Sequence, residues 1–382
     1  MTKALAIVGA GYLQLPLVRK AREMGLRTLC FAWADGAVCR DEVDAFYPLS
    51  VVNKEQILEV CRKERIAGIT SIASDVAVPT IAYVATRLGL IGNSVESAAK
   101  STNKFLMREA FNRAGVPCPA YAVVDDVRNL PDALRGLSFP LIVKPADRSG
   151  SMGVTRVDFP DLLESATKRA IDDSFCHKAI VEECITDMHE VSVEGISWKG
   201  DYHLLQITDK VTTGAPHYVE LGHHQPARLT DETRRRILEA VRRGVDALEI
   251  KYGASHAELM ITGDGRVYMT EIGARMGGDF IGSDLVRLST GYDFVRGVID
   301  VALGRFFPPR LERTGCSGVW FYTRHTPEAL RWISGEATTD GIVRRELQSR
   351  DTPELTRSAD RSGYFIYKSE RRMDIPVRIG NG

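Results

Sequence analysis

Residues 256–278 read HAELMITGDGRVYMTEIGARMGG, two apolar runs on either side of Asp264-Gly265. Asp-Gly is a strong two-residue hairpin signal, because a type I′ turn needs positive φ at both central positions. With that turn Gly263 faces Arg266, and counting outward in equal steps brings Glu258 opposite Glu271. Side chains so paired share a face, with Cβ atoms about 5 Å apart. Two carboxylates that close repel, and need a shared proton or a cation. Together with phosphate oxygens they suit magnesium, a hard ion that keeps several waters. The plain alternative is two solvated glutamates on an outer sheet face.

Downstream, Arg275 precedes Gly277-Gly278 and an apolar helical stretch. Glycines ahead of a helix leave amides free for an anion, and an arginine there can neutralise a phosphate or a developing oxyanion. A loop arginine equally makes a surface ion pair. Upstream, residues 140–154 read PLIVKPADRSGSMGV, with Lys144 ending an apolar run and Arg148, Ser149, Gly150, Ser151 and Gly153 in a pliable loop. A lysine fixed on a strand and a loop of backbone amides can close over phosphates. The spacing is not that of a P-loop, and an ordinary hairpin carries such a loop as well.

The rest of the chain sets these pieces in order. Residues 1–93 alternate strand and helix signals, which argues for a parallel sheet wrapped by helices. One or two helices over 94–114 end at Gly115, Pro117 and Pro119, a helix stop and domain junction. An α+β pattern follows, with strands predicted over 140–145, 178–183, 190–198 and 202–209, the last two joined by a Lys199-Gly200 turn. A helix from Thr230 to Leu248, strands over 253–261 and 266–272, and short strands over 318–323 and 364–367 complete the reading. The expected divisions are 1–93, 94–185, 186–309 and 310–382.

Composition narrows the function. With 50 basic and 50 acidic residues among 382, no global field draws nucleic acid or a membrane surface. No apolar run reaches the roughly 18 residues that span a bilayer. Met1-Thr2-Lys3 runs straight into a strand, leaving no room for a signal peptide. The 7 cysteines form no CxxC pair, so neither a disulfide framework nor a zinc site is expected, and a reducing cytoplasm is. GAGYLQLP at 9–16 invites a dinucleotide reading, but Gln14 stands where the third glycine belongs and no acid closes the second strand, which argues against a nicotinamide-dependent dehydrogenase.

Taken in order, these segments resemble the ATP-grasp superfamily of carboxylate–amine ligases over nearly the whole chain. The resemblance implies a Rossmann-like N-terminal domain (1–93), linker helices with a small lobe (94–185), a large lobe with the metal site (186–309) and a small C-terminal β-rich element (310–382). It makes Lys104, in STNKFLMREAF, and Lys144 the lysines that reach the phosphates of ATP. It makes the Ser149, Gly150, Ser151 and Gly153 loop the flap over the triphosphate. The Glu182 to Ile185 stretch, Glu183 included, becomes the hinge at adenine, and Glu190 the ribose acid. Glu258 and Glu271 become ligands for Mg2+, or Mn2+ in its place, and Arg275 the catalytic arginine. Many members read Glu-x-Asn at the second metal position; here it is Glu271-Ile272-Gly273, which takes away one expected ligand for a second ion.

HAEL with TEIGARMGG is most similar to L-amino acid ligases. DKVTTGAPHYVELGHHQP resembles the border of their acyl pocket, which makes Glu220 and His223 substrate candidates, although a histidine pair is by itself ordinary in a loop; Gly278 and Asp279, just after TEIGARMG, are candidates as well. The implied activity is ATP-dependent joining of an amino acid or small carboxylate to an amine or thiol through an acyl phosphate, and members are often homodimers. Biotin carboxylase-like and purine-pathway enzymes, and a non-catalytic ATP-binding protein, share the same nucleotide site as alternatives.

Overall fold

The structure is a computed structural model that describes residues 2–148, 153–215, 217–337 and 340–378. Its N-terminal unit is a parallel sheet: β1 (Ala4–Val8), α1 (Leu15–Glu23), β2 (Arg27–Phe31), β3 (Ala45–Tyr47), α2 (Lys54–Lys63), β4 (Gly68–Thr70) and α3 (Val78–Leu88), with strand order β3-β2-β1-β4. Both faces of β1 are buried, Leu5 and Ile7 in a core with α1, and Ala4, Ala6 and Val8 in a core with α2 and α3. A strand covered on both faces must be apolar at every position, and β1 is.

α4 (Val95–Thr102) and α5 (Lys104–Arg113) follow as two helices, because the Asn103 side chain accepts from the Phe105 and Leu106 amides and caps α5. Gly115, at φ 65°, takes the left-handed position that ends the segment. A small antiparallel sheet comes next: β5 (Tyr121–Val124), α6 (Leu130–Ala133), β6 (Leu141–Pro145), β7 (Thr155–Val157), α7 (Leu163–Asp173) and β8 (Ala179–Glu183), in the order β5-β8-β6-β7.

The remaining strands form one eight-stranded sheet, β13-β12-β9-β10-β11-β14-β16-β15. In chain order it comprises β9 (Met188–Trp198), β10 (Asp201–Thr212), β11 (Glu220–Gln225), α8 (Asp231–Ala247), β12 (Tyr252–Thr262), β13 (Val267–Gly273), α9 (Val286–Thr290), α10 (Phe294–Ala302), β14 (Cys316–Tyr322), α11 (Leu330–Ser334), β15 (Ile342–Leu347) and β16 (Gly363–Ser369). The strands after residue 310 thus extend the same sheet through the β11–β14 pair. Lys199 and Gly200 both have positive φ, 55° and 88°, as the two-residue turn between β9 and β10 requires. Thr230 caps α8, its hydroxyl accepting from the Thr233 amide at 3.1 Å. α10 lies in one core with β1, β9 and β12, and so fixes the N-terminal unit against the large sheet. No helix among the described residues is long and apolar enough to cross a membrane.

β11 was not expected from its polar sequence, yet Leu221 to Gln225 are buried. Its neighbours satisfy it: His224 shares a hydrogen bond of 2.9 Å with the Tyr367 hydroxyl, and Gln225 donates to Thr208 at 3.0 Å. Burial, then the nearby Arg372, holds the His224 imidazole well below its usual pKa. The unfolded chain therefore binds a proton below about pH 6.5 that the folded chain refuses. Stability should fall as pH drops from 6.5 toward 5, by up to about 1.4 kcal/mol per pH unit from this residue. Denaturant titrations across that range should show a shallower slope in His224→Gln; an unchanged slope would mean that His224 does not carry the effect.

Candidate active site

The three sheets enclose a cavity of about 480 Å3. One wall is the β12–β13 hairpin, and its geometry corrects the predicted turn. The Thr262 amide bonds the Arg266 carbonyl at 3.0 Å and the Gly265 amide bonds Thr262 at 2.8 Å, so the loop holds three residues, Gly263 to Gly265. Only Gly265 is left-handed (φ 79°), and the Asp264 carboxylate accepts from the Thr262 hydroxyl across the loop. Pairing then runs one step out of the predicted register, Leu259 with Met269, until a bulge before Glu258 restores it. Glu258 does face Glu271, by two offsets that cancel.

Cations relieve the repulsion between these carboxylates. Lys104, the first residue of α5, lies 3.2 Å from Glu271 and donates to the Arg148 carbonyl at 2.5 Å. Lys210 on β10 lies 2.9 Å from Glu258, 2.5 Å from Glu190 and 3.7 Å from Glu220. One ammonium shared by three carboxylates cannot keep all of them at ease. Burial first, then the like charges of Glu258 and Glu220, push the Glu190 carboxyl up, and the three acids hold Lys210 well above its ordinary range against the effect of burial. Two residues before Glu258 on the same face, His256 bonds Glu194 through Nδ1 and lies 3.3 Å from Glu258 through Nε2. Burial pulls this imidazole down, but the two acids more than offset that and raise it to about 9, so it is a cation at neutral pH.

Lys144, next to last in β6, lines the cavity 2.5 Å from Glu182, which also takes Arg108 at 2.6 Å. Burial pushes Lys144 down in pKa; it would raise Glu182, but Arg108 and Lys144 together hold that carboxyl below its usual range. The Glu182 side chain is thus held between two cations at the cavity wall, where it orients Lys144. Glu183 accepts from the Ser138 amide at 2.9 Å, and its own amide goes to the Ala120 carbonyl. β8 ends there, and Cys184 and Ile185 line the cavity beyond it. Gly153 has φ 72°, and a Cβ there would lie 2.8 Å from the Pro145 ring, so glycine is required. Ser149, Gly150 and Ser151 lie outside the described residues.

Arg275 borders the cavity paired fork to fork with Asp75 of the N-terminal unit, Nε and Nη2 each at 2.8 Å. The Gly277 amide donates to Glu194 at 3.0 Å, so it is not the free anion donor that the glycine pair suggested. Gly278 faces Ala73 and Leu13 across the boundary between units. At the far end, Arg361 stacks 3.8 Å over the Phe321 ring and reaches Asp279 at 2.8 Å and Glu220 at 3.1 Å. His223 lies 3.4 Å from Asp279. Burial would raise the Asp279 carboxyl, but Arg361 and His223 hold it well below the usual range.

Residues 137–284, which carry most of these groups, match the family described as the ATP-grasp domain. The match makes residues 137–284 an ATP-grasp domain. The chain is 27% identical over 245 residues to alanine–anticapsin ligase of Bacillus subtilis, covering 59% of this chain and 51% of that one. It is 25% identical over 250 residues to the L-arginine-specific L-amino acid ligase of Bacillus subtilis, covering 64% of this chain and 59% of that one. The chain thus spans about half the length of the first of these relatives. Its fold matches the crystal structure of L-amino acid ligase from Bacillus licheniformis with a TM-score of 0.79, at 24% identity, over 96% of this chain and 93% of that one.

The donor set of this ATP-grasp domain suits magnesium. Glu258 and Glu271 offer hard oxygens from neighbouring strands to one cavity. Among the described residues no group of three or more His, Cys, Asp or Glu side chains forms a cage. An ion there must complete its shell with phosphate oxygens and water, which is how magnesium is usually held beside a nucleotide. Sequence reasoning missed Asp75, Arg108, Glu194, Lys210, His256 and Arg361. His256 was within reach, since strand residues two apart share a face. The other five meet the site only through long-range pairing, with no local signal.

Proposed function

We propose that this chain is an ATP- and magnesium-dependent ligase that activates a carboxylate as an acyl phosphate and joins it to an amine or thiol. The acyl donor in this reading is an amino acid or a small carboxylate. The observation that carries it is the meeting of Lys104, Arg275 and the facing pair Glu258 and Glu271 in one cavity. The ligase names of the similar proteins favour the same reading. Residues 1–93 then serve the acceptor side, 94–185 and 186–309 clamp the nucleotide, and 310–382 close the far end.

A carboxylate is a poor electrophile, so its oxygen first attacks the terminal phosphorus of ATP and ADP leaves. The amine then attacks the acyl carbon, and phosphate departs with one of the carboxylate oxygens. Phosphoryl transfer of this kind is mostly positioning and charge neutralisation. Lys104 and Lys144 present ammonium groups to the phosphates, each already oriented by an acid. Magnesium held by Glu258 and Glu271 supplies further neutralisation of phosphate oxygens. Arg275 offers its outer edge to the oxyanion that forms when the amine attacks. Leu13 of the N-terminal unit and Asp279, held by Arg361, line the end assigned to the acceptor.

The test is phosphate release from ATP and magnesium with pooled amino acids and small carboxylates, wild type against Glu271→Gln. Release that needs a substrate and disappears in the variant supports the ligase. Tight ATP binding with no release in any pool favours a non-catalytic binding protein, and no ATP binding ends the proposal.

A further inference from the structure

We propose that Asp75, carried by the N-terminal sheet, is the positioning residue for Arg275, and that position 273 is glycine because Asp75 and Arg275 fill the space of its side chain. The inference deepens the ligase reading and rests on it. Asp75 follows β4, and its loop is tied to the far side of the site: the Ala73 amide donates to the Met276 carbonyl at 3.1 Å. The carboxylate then takes Nε and Nη2 of Arg275, both at 2.8 Å. Such a bidentate pair fixes the plane of a guanidinium as well as its place.

Three further observations make this more than an incidental ion pair. Arg275 also borders a second cavity of about 60 Å3, among α3, α10 and β12, so the guanidinium has room to swing away if the pair is broken. Gly273 does not have a left-handed φ, so its backbone would accept other residues; yet a Cβ there would lie 2.7 Å from Asp75 Oδ1 and 3.2 Å from Arg275 Nε. The glycine therefore answers to the ion pair rather than to the backbone. Finally, the fork of Arg275 is used up by Asp75, and Nη1 is 3.4 Å from the Met276 carbonyl. What remains for the reaction is one edge, which suits a single oxyanion rather than a fork grip on a substrate carboxylate.

The test is a cycle of Asp75→Ala, Gly273→Ala and the double variant in the full chain, with kcat, KM for ATP, ATP affinity and Tm measured for each. Asp75→Ala should lower kcat about 10²-fold, the usual cost of a lost oxyanion donor, with KM for ATP changed by no more than about two-fold. Gly273→Ala should reproduce that loss by displacing Asp75, and should cost little further once Asp75 is alanine, since the remaining neighbour, Arg275 Nε at 3.2 Å, is then free to give way. A lowered Tm with unchanged kcat would mark a purely structural pair and overturn the proposal, as would additive losses. Should Asp75→Ala fail to fold, Asp75→Asn keeps the shape without the charge, and wild-type kcat in it would be equally fatal. If wild type turns over no substrate, the ligase reading fails separately; denaturation midpoints of the same cycle then decide the pair, non-additive if Asp75 fills the Gly273 space and additive if it does not.

Discussion

Arg275→Ala is expected to lower turnover about 10²- to 10³-fold while leaving ATP affinity nearly intact, because an oxyanion donor acts in the transition state and not on the bound nucleotide. The guanidinium is half-buried at the cavity wall, and although that enclosure opposes its charge, Asp75 and the nearby Glu258 and Glu271 hold it firmly protonated. Its removal also strands the Asp75 carboxylate, and breaking a buried pair costs about 3–5 kcal/mol. Stability and catalysis must therefore be read separately, kcat per folded molecule by active fraction and stability by denaturant. Arg275→Lys keeps a charge but cannot repeat the fork, so it should recover stability more than rate. Full turnover in Arg275→Ala would remove this residue from the mechanism.

Lys210→Met should be strongly destabilising. It deletes the one cation shared by Glu190, Glu220 and Glu258. Removing one partner of a buried charge cluster costs about 3–5 kcal/mol; since these acids open onto the cavity, the lower figure is expected. The pH dependence gives a signed check. Glu190 is already pushed up by burial and by its like-charged neighbours while the lysine is present. Without it, the folded variant binds protons more readily than the unfolded chain, so ν_U − ν_N is negative and stability rises as pH falls. Relative to wild type, Lys210→Met should thus gain stability from pH 7 toward 5, since His224 acts equally in both proteins. Parallel curves for the two proteins would show that Lys210 does not govern the cluster.

Most of the fold was legible where periodicity is strong. The apolar runs of β1, β6, β9 and β12 and the capped α8 stand where their patterns put them, within a residue or two. β11 was not legible, because Gly222, His223, His224 and Gln225 are buried through hydrogen bonds and carry no apolar alternation. The facing of Glu258 and Glu271 was predicted from a two-residue turn that does not form; a three-residue loop and a bulge cancel. Asp75 could not be found in the same way. It lies 200 positions from Arg275, and the two meet through the packing of the N-terminal unit against the large sheet and the Ala73–Met276 backbone bond. The place of Glu182 on its strand was legible, but its pairing with Arg108 was not, since 74 positions separate the two.

The most direct test of the account follows an oxygen atom. A carboxylate substrate chosen by the phosphate-release assay is labelled with heavy oxygen and turned over with ATP, magnesium and an amine. The acyl phosphate route predicts that each phosphate released carries one oxygen from the carboxylate. Phosphate free of the label would mean that water, and not the carboxylate, attacks ATP, and would contradict the central claim.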